Sequence, residues 1–181
     1  MGIRVGYIVG SLSVSSINRQ LADHVIARAP QTVELAEIPI CDLPLYNYDR
    51  DEAFPGEAVV FKQALESVDA VLFVTPEYNR SVPGALKNAI DWGSRPWGNN
   101  SFAGRTAAII GTGLNGAGTA VAQSQLRSIL VYLGVTVVGA PEVCIRWESD
   151  VLASGAIDDL VATFWTSFAA ALEKGASDPV S

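Results

Sequence analysis

The chain has 181 residues, is 49% hydrophobic and 17% charged, and carries a formal net charge of −7. These totals predict one globular domain that buries roughly 70% of its unfolded surface, and they exclude wholesale disorder. The negative charge, with no run of Lys and Arg to offset it, excludes a non-specific nucleic-acid or acidic-membrane partner.

No stretch approaches the ~18 apolar residues of a membrane span. No export signal is visible, so a cytoplasmic location is expected. Cys41 and Cys144 stand far apart, in no CxxC arrangement, and are expected to be free thiols.

The elements follow one another as strand and helix. Ile3–Val9 is a short apolar run and predicts a buried strand. It ends in the loop Gly10-Ser11-Leu12-Ser13-Val14-Ser15-Ser16-Ile17-Asn18. Ile17, Leu21, Val25 and Ala29, with Ala22 and Ile26 beside them, form a helical stripe that Ser16 can cap. Val33–Ile38 predicts a second strand, closed by Pro39. A long connection, Pro39–Phe54, carries Tyr46 and Tyr48, and loops of such length are often functional.

Ala58, Phe61, Leu65 and Val68 then predict a helix opened by Pro55. Asp69–Thr75 is a third buried strand, followed by Pro76-Glu77-Tyr78-Asn79-Arg80-Ser81-Val82-Pro83-Gly84. Ser81 as cap, Pro83 in the first turn and an apolar face of Leu86, Ala89 and Ile90 predict a helix to about Trp92. Thr106–Gly111 is a fourth strand. A helix lined by Ala122, Leu126, Ile129, Leu130 and Leu133 stops at Gly134. Val135–Val138 predicts a fifth strand, resuming at Val143–Ile145, and Ile157 to Leu172 a last amphipathic helix. The residues from Gly175 to Ser181 are expected to fray.

Near-continuous apolar strands alternating with helices predict a parallel sheet covered on both faces. Open α/β sheets bind ligands beyond the carboxyl ends of their strands, where strand order reverses. A serine-rich loop opening a helix there suits a phosphate, because a helix N-terminus presents unpaired N–H groups and partial positive charge. The same serines equally suit a plain cap and a polar turn. In the second loop, prolines stiffen a backbone that can hydrogen-bond a planar polar ring, with Tyr78 and Asn79 as side-chain partners. Taken singly, Tyr78 fits an ordinary packed aromatic and Glu77 a solvated charge.

The string from Gly111 to Gly116 satisfies GxGxxG. It follows the fourth strand rather than the first, which argues against a dinucleotide fingerprint. Its glycines instead suit close approach of backbone to a flat ring. His24 falls on the polar side of the first helix and is expected to be solvated. One His and two scattered Cys leave neither a triad nor a zinc site. Lys87 and Asp91 are spaced to form a helix-surface pair.

The string from Pro76 through Asn88 to Trp92 closely resembles the signature of the NADPH-dependent FMN reductase family. Gly10-Ser11 through Ser16 and Asn18 resemble its phosphate loop. Gly111-Thr112-Gly113, with Gln123, Leu126, Arg127 and Leu130, is similar to its third flavin loop and following helix. The chain departs from many family members at Ser13, where they carry Arg.

The resemblance implies a flavodoxin-like, doubly wound, five-stranded parallel sheet of order 2-1-3-4-5 with helices on both faces. It implies one FMN-binding domain over 1–174, with 175–181 as a tail. Ser11, Ser16 and Asn18 would hold the FMN phosphate, with Ser13 and Ile17 in the same loop. Pro76, Glu77, Tyr78 and Asn79 would line the isoalloxazine and ribityl chain, and Thr112 and Gly113 the pyrimidine edge. The implied activity is reduction by NADPH or NADH through FMN, with a quinone, chromate, azo compound or free flavin as acceptor and no catalytic side chain. An electron-carrier flavoprotein without nicotinamide turnover is the alternative. A homodimer or homotetramer is implied, with Tyr46, Tyr48, Arg80, Arg95 and Trp97 bordering the acceptor site.

Overall fold

The computed structural model describes residues 2–177. Its strands are β1 (Ile3–Val9), β2 (Val33–Glu37), β3 (Ala70–Val74), β4 (Thr106–Gly113), β5 (Thr136–Val137) and β6 (Val143–Arg146). All pair in parallel in the order β2-β1-β3-β4-β5, and β6 also pairs with β4, beyond β5. The fifth position of the expected order is thus shared by two short strands. Five helices, α1 (Ile17–Ile26), α2 (Gly56–Glu66), α3 (Gly84–Gly93), α4 (Ala120–Tyr132) and α5 (Gly155–Ser177), cover the sheet.

Strand alternation divides the apolar residues between two faces. Val71 and Phe73 of β3, with Ile8 and Ile109, pack against α2, α3 and α4 through Phe61, Leu86 and Leu126. Ala70, Leu72 and Val74, with Val5 and Ile110, pack against α1 and α5 through Leu21, Val161 and Phe168. Every residue of β3 is buried, as a central strand covered on both faces requires.

Three local expectations are corrected. Ser81 does not cap α3; the helix starts at Gly84, after Pro83, and Ser81 closes a tight turn instead. β4 runs two residues further than its apolar run, because Thr112 and Gly113 pair with Ile145 and Arg146 of β6. His24 is not a solvated residue: its side chain is 8% exposed, and its Nε2 lies 3.0 Å from Asp158 Oδ1 of α5. Arg28 Nε approaches the same oxygen to 2.6 Å, so α1 and α5 meet through a charged junction as well as an apolar one. The last helix, α5, extends to Ser177, into the expected tail. Residues 178–181 of that expected tail lie outside the described residues.

Candidate active site at the carboxyl end of the sheet

The loops after β1, β3 and β4 meet at one rim. Gly10 N donates to Val74 O (2.8 Å) and Thr75 N to Ile110 O (3.0 Å), so the ladder continues past the strand ends and holds the loops in register. Between them lies a cavity of about 530 Å³, within the ~300–1,000 Å³ typical of small-molecule sites.

Ser16 is the N-cap of α1, its hydroxyl accepting from Arg19 N at 3.1 Å. The N–H groups of Ile17 and Asn18, in the first turn, have no intrahelical acceptor, and both residues line the cavity. Ser11 and Ser16 are buried, whereas Ser13 and Ser15 are exposed with hydroxyls 3.3 Å apart. Every donor on this wall is neutral, and no Lys or Arg lines the cavity among the described residues.

Asn18 is 1% exposed. Its Nδ2 donates to Thr112 O (2.9 Å) and its Oδ1 accepts from Thr112 N (3.0 Å), so the side chain mimics a strand partner and ties the first loop to the third. What α1 offers an anion at this position is the main-chain N–H. Thr112 is fully buried, its hydroxyl donating to Ile145 O at 3.0 Å, and it is not on the cavity wall. Gly113 is.

Glu77 is the least expected of the wall residues. Its side chain is only 4% exposed. Oε2 accepts from Val121 N (3.0 Å) and Ala122 N (3.1 Å) at the start of α4, where Thr119 supplies no side-chain cap. The carboxylate therefore joins the second loop to the helix behind the third. Nothing near α4 in the sequence signals this, because the cap comes from a distant loop.

Tyr78 and Ser81 exchange main-chain hydrogen bonds (3.1 and 3.0 Å) across a tight turn. Asn79 (φ 51°) and Arg80 (φ 63°) both sit in the left-handed region there. Gln125 of α4 braces it, accepting from Ser81 Oγ (2.8 Å) and donating to Arg80 O (3.0 Å). Tyr78 is on the wall; Asn79 is exposed and is not.

The structure thus gathers Ser11, Ser13, Ser16, Ile17, Asn18, Pro76, Glu77, Tyr78 and Gly113 around one space, and leaves Asn79 and Thr112 off it. Leu114, Asn115 and Gly118 join them from within and just after the glycine-rich string. Gly111 is required by the chain itself, since a Cβ there would collide with Thr75 O and Thr119 Oγ1. That glycine serves strand-to-helix packing, not the approach to a ligand.

A hollow of about 810 Å³ lies at the opposite, amino end of the strands. There Arg4 and Arg105 already donate to main-chain carbonyls of Ser67, Ser101 and Val68. Beside the sheet, Arg95 lies 5.0–5.5 Å from the ring centroids of Tyr46, Tyr48 and Trp97 and 3.9 Å from Asp51. Burial, with a hydrogen bond to Asp51, pushes the Tyr46 hydroxyl up from its ordinary pKa. No group of His, Cys, Asp and Glu able to hold a metal occurs among the described residues. Cys41 and Cys144 are free, as expected.

The family model described as NADPH-dependent FMN reductase matches residues 3–148. A 2-hydroxy-1,4-benzoquinone reductase from a Burkholderia species is 46% identical over 158 residues, 87% of this chain and 86% of that protein. The solved structure of FerB, a flavoenzyme NAD(P)H:(acceptor) oxidoreductase from Paracoccus denitrificans, superposes with a TM-score of 0.91 at 36% identity, covering 96% of this chain and 98% of that one. A flavodoxin variant from Pseudomonas aeruginosa shares the fold at 21% identity and a TM-score of 0.58, over 92% of this chain and 99% of that one.

Proposed function

Because the chain belongs to the NADPH-dependent FMN reductase family, we propose that the cavity at the carboxyl end holds FMN and that a quinone takes the electrons. The observation that carries this reading is the convergence of three strand-end loops on one space, with α1 presenting neutral N–H and O–H donors to it. The residues fit the group: a helix N-terminus and two buried hydroxyls suit a phosphate, and a stiff backbone loop suits a flat polar ring.

In this reading Ser11, Ser16 and the N–H groups of Ile17 and Asn18 hold the phosphate, with Ser13 at its exposed side. Pro76, Glu77, Tyr78 and Gly113 border the ring and ribityl chain. Asn79 and Thr112 act behind the wall, by shaping the turn and anchoring Asn18. Bound FMN supplies the hydride chemistry, from NAD(P)H to the acceptor. The protein's part is positioning, and N–H donors placed where negative charge develops.

Exposed Leu12, Tyr78 and Leu114 give the region an apolar border. That border supports a quinone as the acceptor. Exposed Tyr48 and Trp97 against Arg95, with exposed Leu45 in the same long loop as Tyr48, support a homodimer or homotetramer. No helix among the described residues is long and apolar enough to cross a membrane. A nicotinamide donor, a metabolite of the cell interior, supports a cytoplasmic place of action. We treat 1–174 as one FMN-binding domain.

The test is a fluorescence titration of the apoprotein with FMN, followed by anaerobic NADPH and then a benzoquinone. Saturable quenching, rapid bleaching and recovery of colour are expected. Loading without bleaching would identify an electron carrier instead.

A further inference from the structure

The wall of the cavity carries no cation, yet the donor is a polyanion and the protein's net charge is −7. A positive group is needed at the mouth for a phosphate-bearing second ligand to dock against that field. Arg80 meets this need. Its side chain is 71% exposed, and its one ion pair among the described residues is with Glu77, at 3.8 Å. The contact is to Oε1, at a distance beyond direct hydrogen bonding, while Oε2 takes the two N–H groups of α4, so the guanidinium keeps all its hydrogen-bond donors for a ligand. No hydrogen bond of the guanidinium to protein is made among the described residues.

The backbone beneath it is the opposite of loose. Two consecutive non-glycine residues in the left-handed region cost on the order of 1–2 kcal/mol each, and such strain persists only where surroundings enforce it. Here the Tyr78–Ser81 bonds and Gln125 enforce it. A rigid, braced turn thus presents, beside the ring-lining residues Pro76–Tyr78, an arginine whose guanidinium makes no hydrogen bond to the described residues. It belongs to a different loop from the serines of α1, where the flavin phosphate would sit. An anion meeting Arg80 is therefore expected to come from a second ligand lying over the ring.

We propose that Arg80 binds a phosphate of the nicotinamide dinucleotide, either the pyrophosphate or the 2′-phosphate. The assignment rests on the FMN reductase reading above. The guanidinium fork suits either oxygen set, and the guanidinium leaves Glu77 to engage it.

The experiment compares FMN-loaded wild type with Arg80→Gln and Arg80→Lys by calorimetric titration with NADP+ and NAD+, alongside the FMN affinity of each apoprotein. Arg80→Gln is expected to weaken dinucleotide binding about tenfold, the loss of one charge-assisted contact, with Arg80→Lys in between and FMN affinity within twofold. Loss for NADP+ alone assigns the 2′-phosphate; equal loss for both assigns the pyrophosphate. Unchanged binding of both overturns the proposal, as does a parallel loss of FMN affinity, which would put Arg80 in the flavin site. If wild type loads FMN but is reduced by neither NADPH nor NADH, the functional reading fails instead.

Discussion

At the residue scale the site divides into groups that face the cavity and groups that hold the wall, and mutation separates them. Ser11 and Ser16 are buried hydroxyls on the wall. In the proposed reading, replacing both by Ala removes two hydrogen bonds to a charged phosphate, so FMN affinity is expected to fall at least about tenfold. The Ser16 change also removes the α1 cap, at a cost of about 1 kcal/mol in denaturant unfolding. Asn18→Ala works in the other direction. It orphans the buried N–H and C=O of Thr112, at about 1–3 kcal/mol of stability, and lowers FMN affinity only by loosening the wall. A loss of affinity without any loss of stability in Asn18→Ala would show its amide to be a direct ligand. The sequence marks Ser11, Ser16 and Asn18 as one group because they share a turn. It cannot mark which atom of Asn18 is engaged elsewhere, since Thr112 lies 94 residues away.

At the element scale, the α1–α5 junction makes a pH-dependent contribution. The Arg28 hydrogen bond, aided by its charge and by His24, holds the Asp158 carboxyl below its ordinary value of 3.8. A depressed folded-state pKa stabilises the fold above the unfolded value, and that contribution is lost as pH falls through the folded one. Asp158→Asn is therefore expected to lose less stability than wild type between neutral pH and pH values below 3.8, measured as urea midpoints across the acid range. The apolar periodicity of β1, β3 and α1 was enough to place them, because buried strands and amphipathic helices write their packing into local sequence. α3 and α4 were less legible. Ser81 carries the composition of a cap but is taken by the turn, and the cap of α4 is Glu77 from another loop. The fifth strand position is split because each half pairs with a different stretch of β4, which no local pattern records.

At the scale of the whole molecule, the strand order reverses between β1 and β3, and the loops leaving those strands form two of the three cavity walls. Composition and alternation predict a parallel sheet covered on both faces, and the family resemblance implies its strand order. The cross-links that stiffen it (Asn18 to Thr112, Glu77 to α4, Gln125 to the Tyr78–Ser81 turn) are not legible in this way, since each joins residues at least 44 positions apart. The braced turn has a consequence for durability. Glycine at position 80 would remove a left-handed penalty of about 1 kcal/mol and add a comparable loss of chain freedom, so Arg80→Gly should melt where the parent does. Endurance alone is indifferent between the two residues. What distinguishes them is reach: a long cationic arm fixed at its shoulder and only loosely paired at its hand can greet an incoming molecule, and a bare backbone cannot.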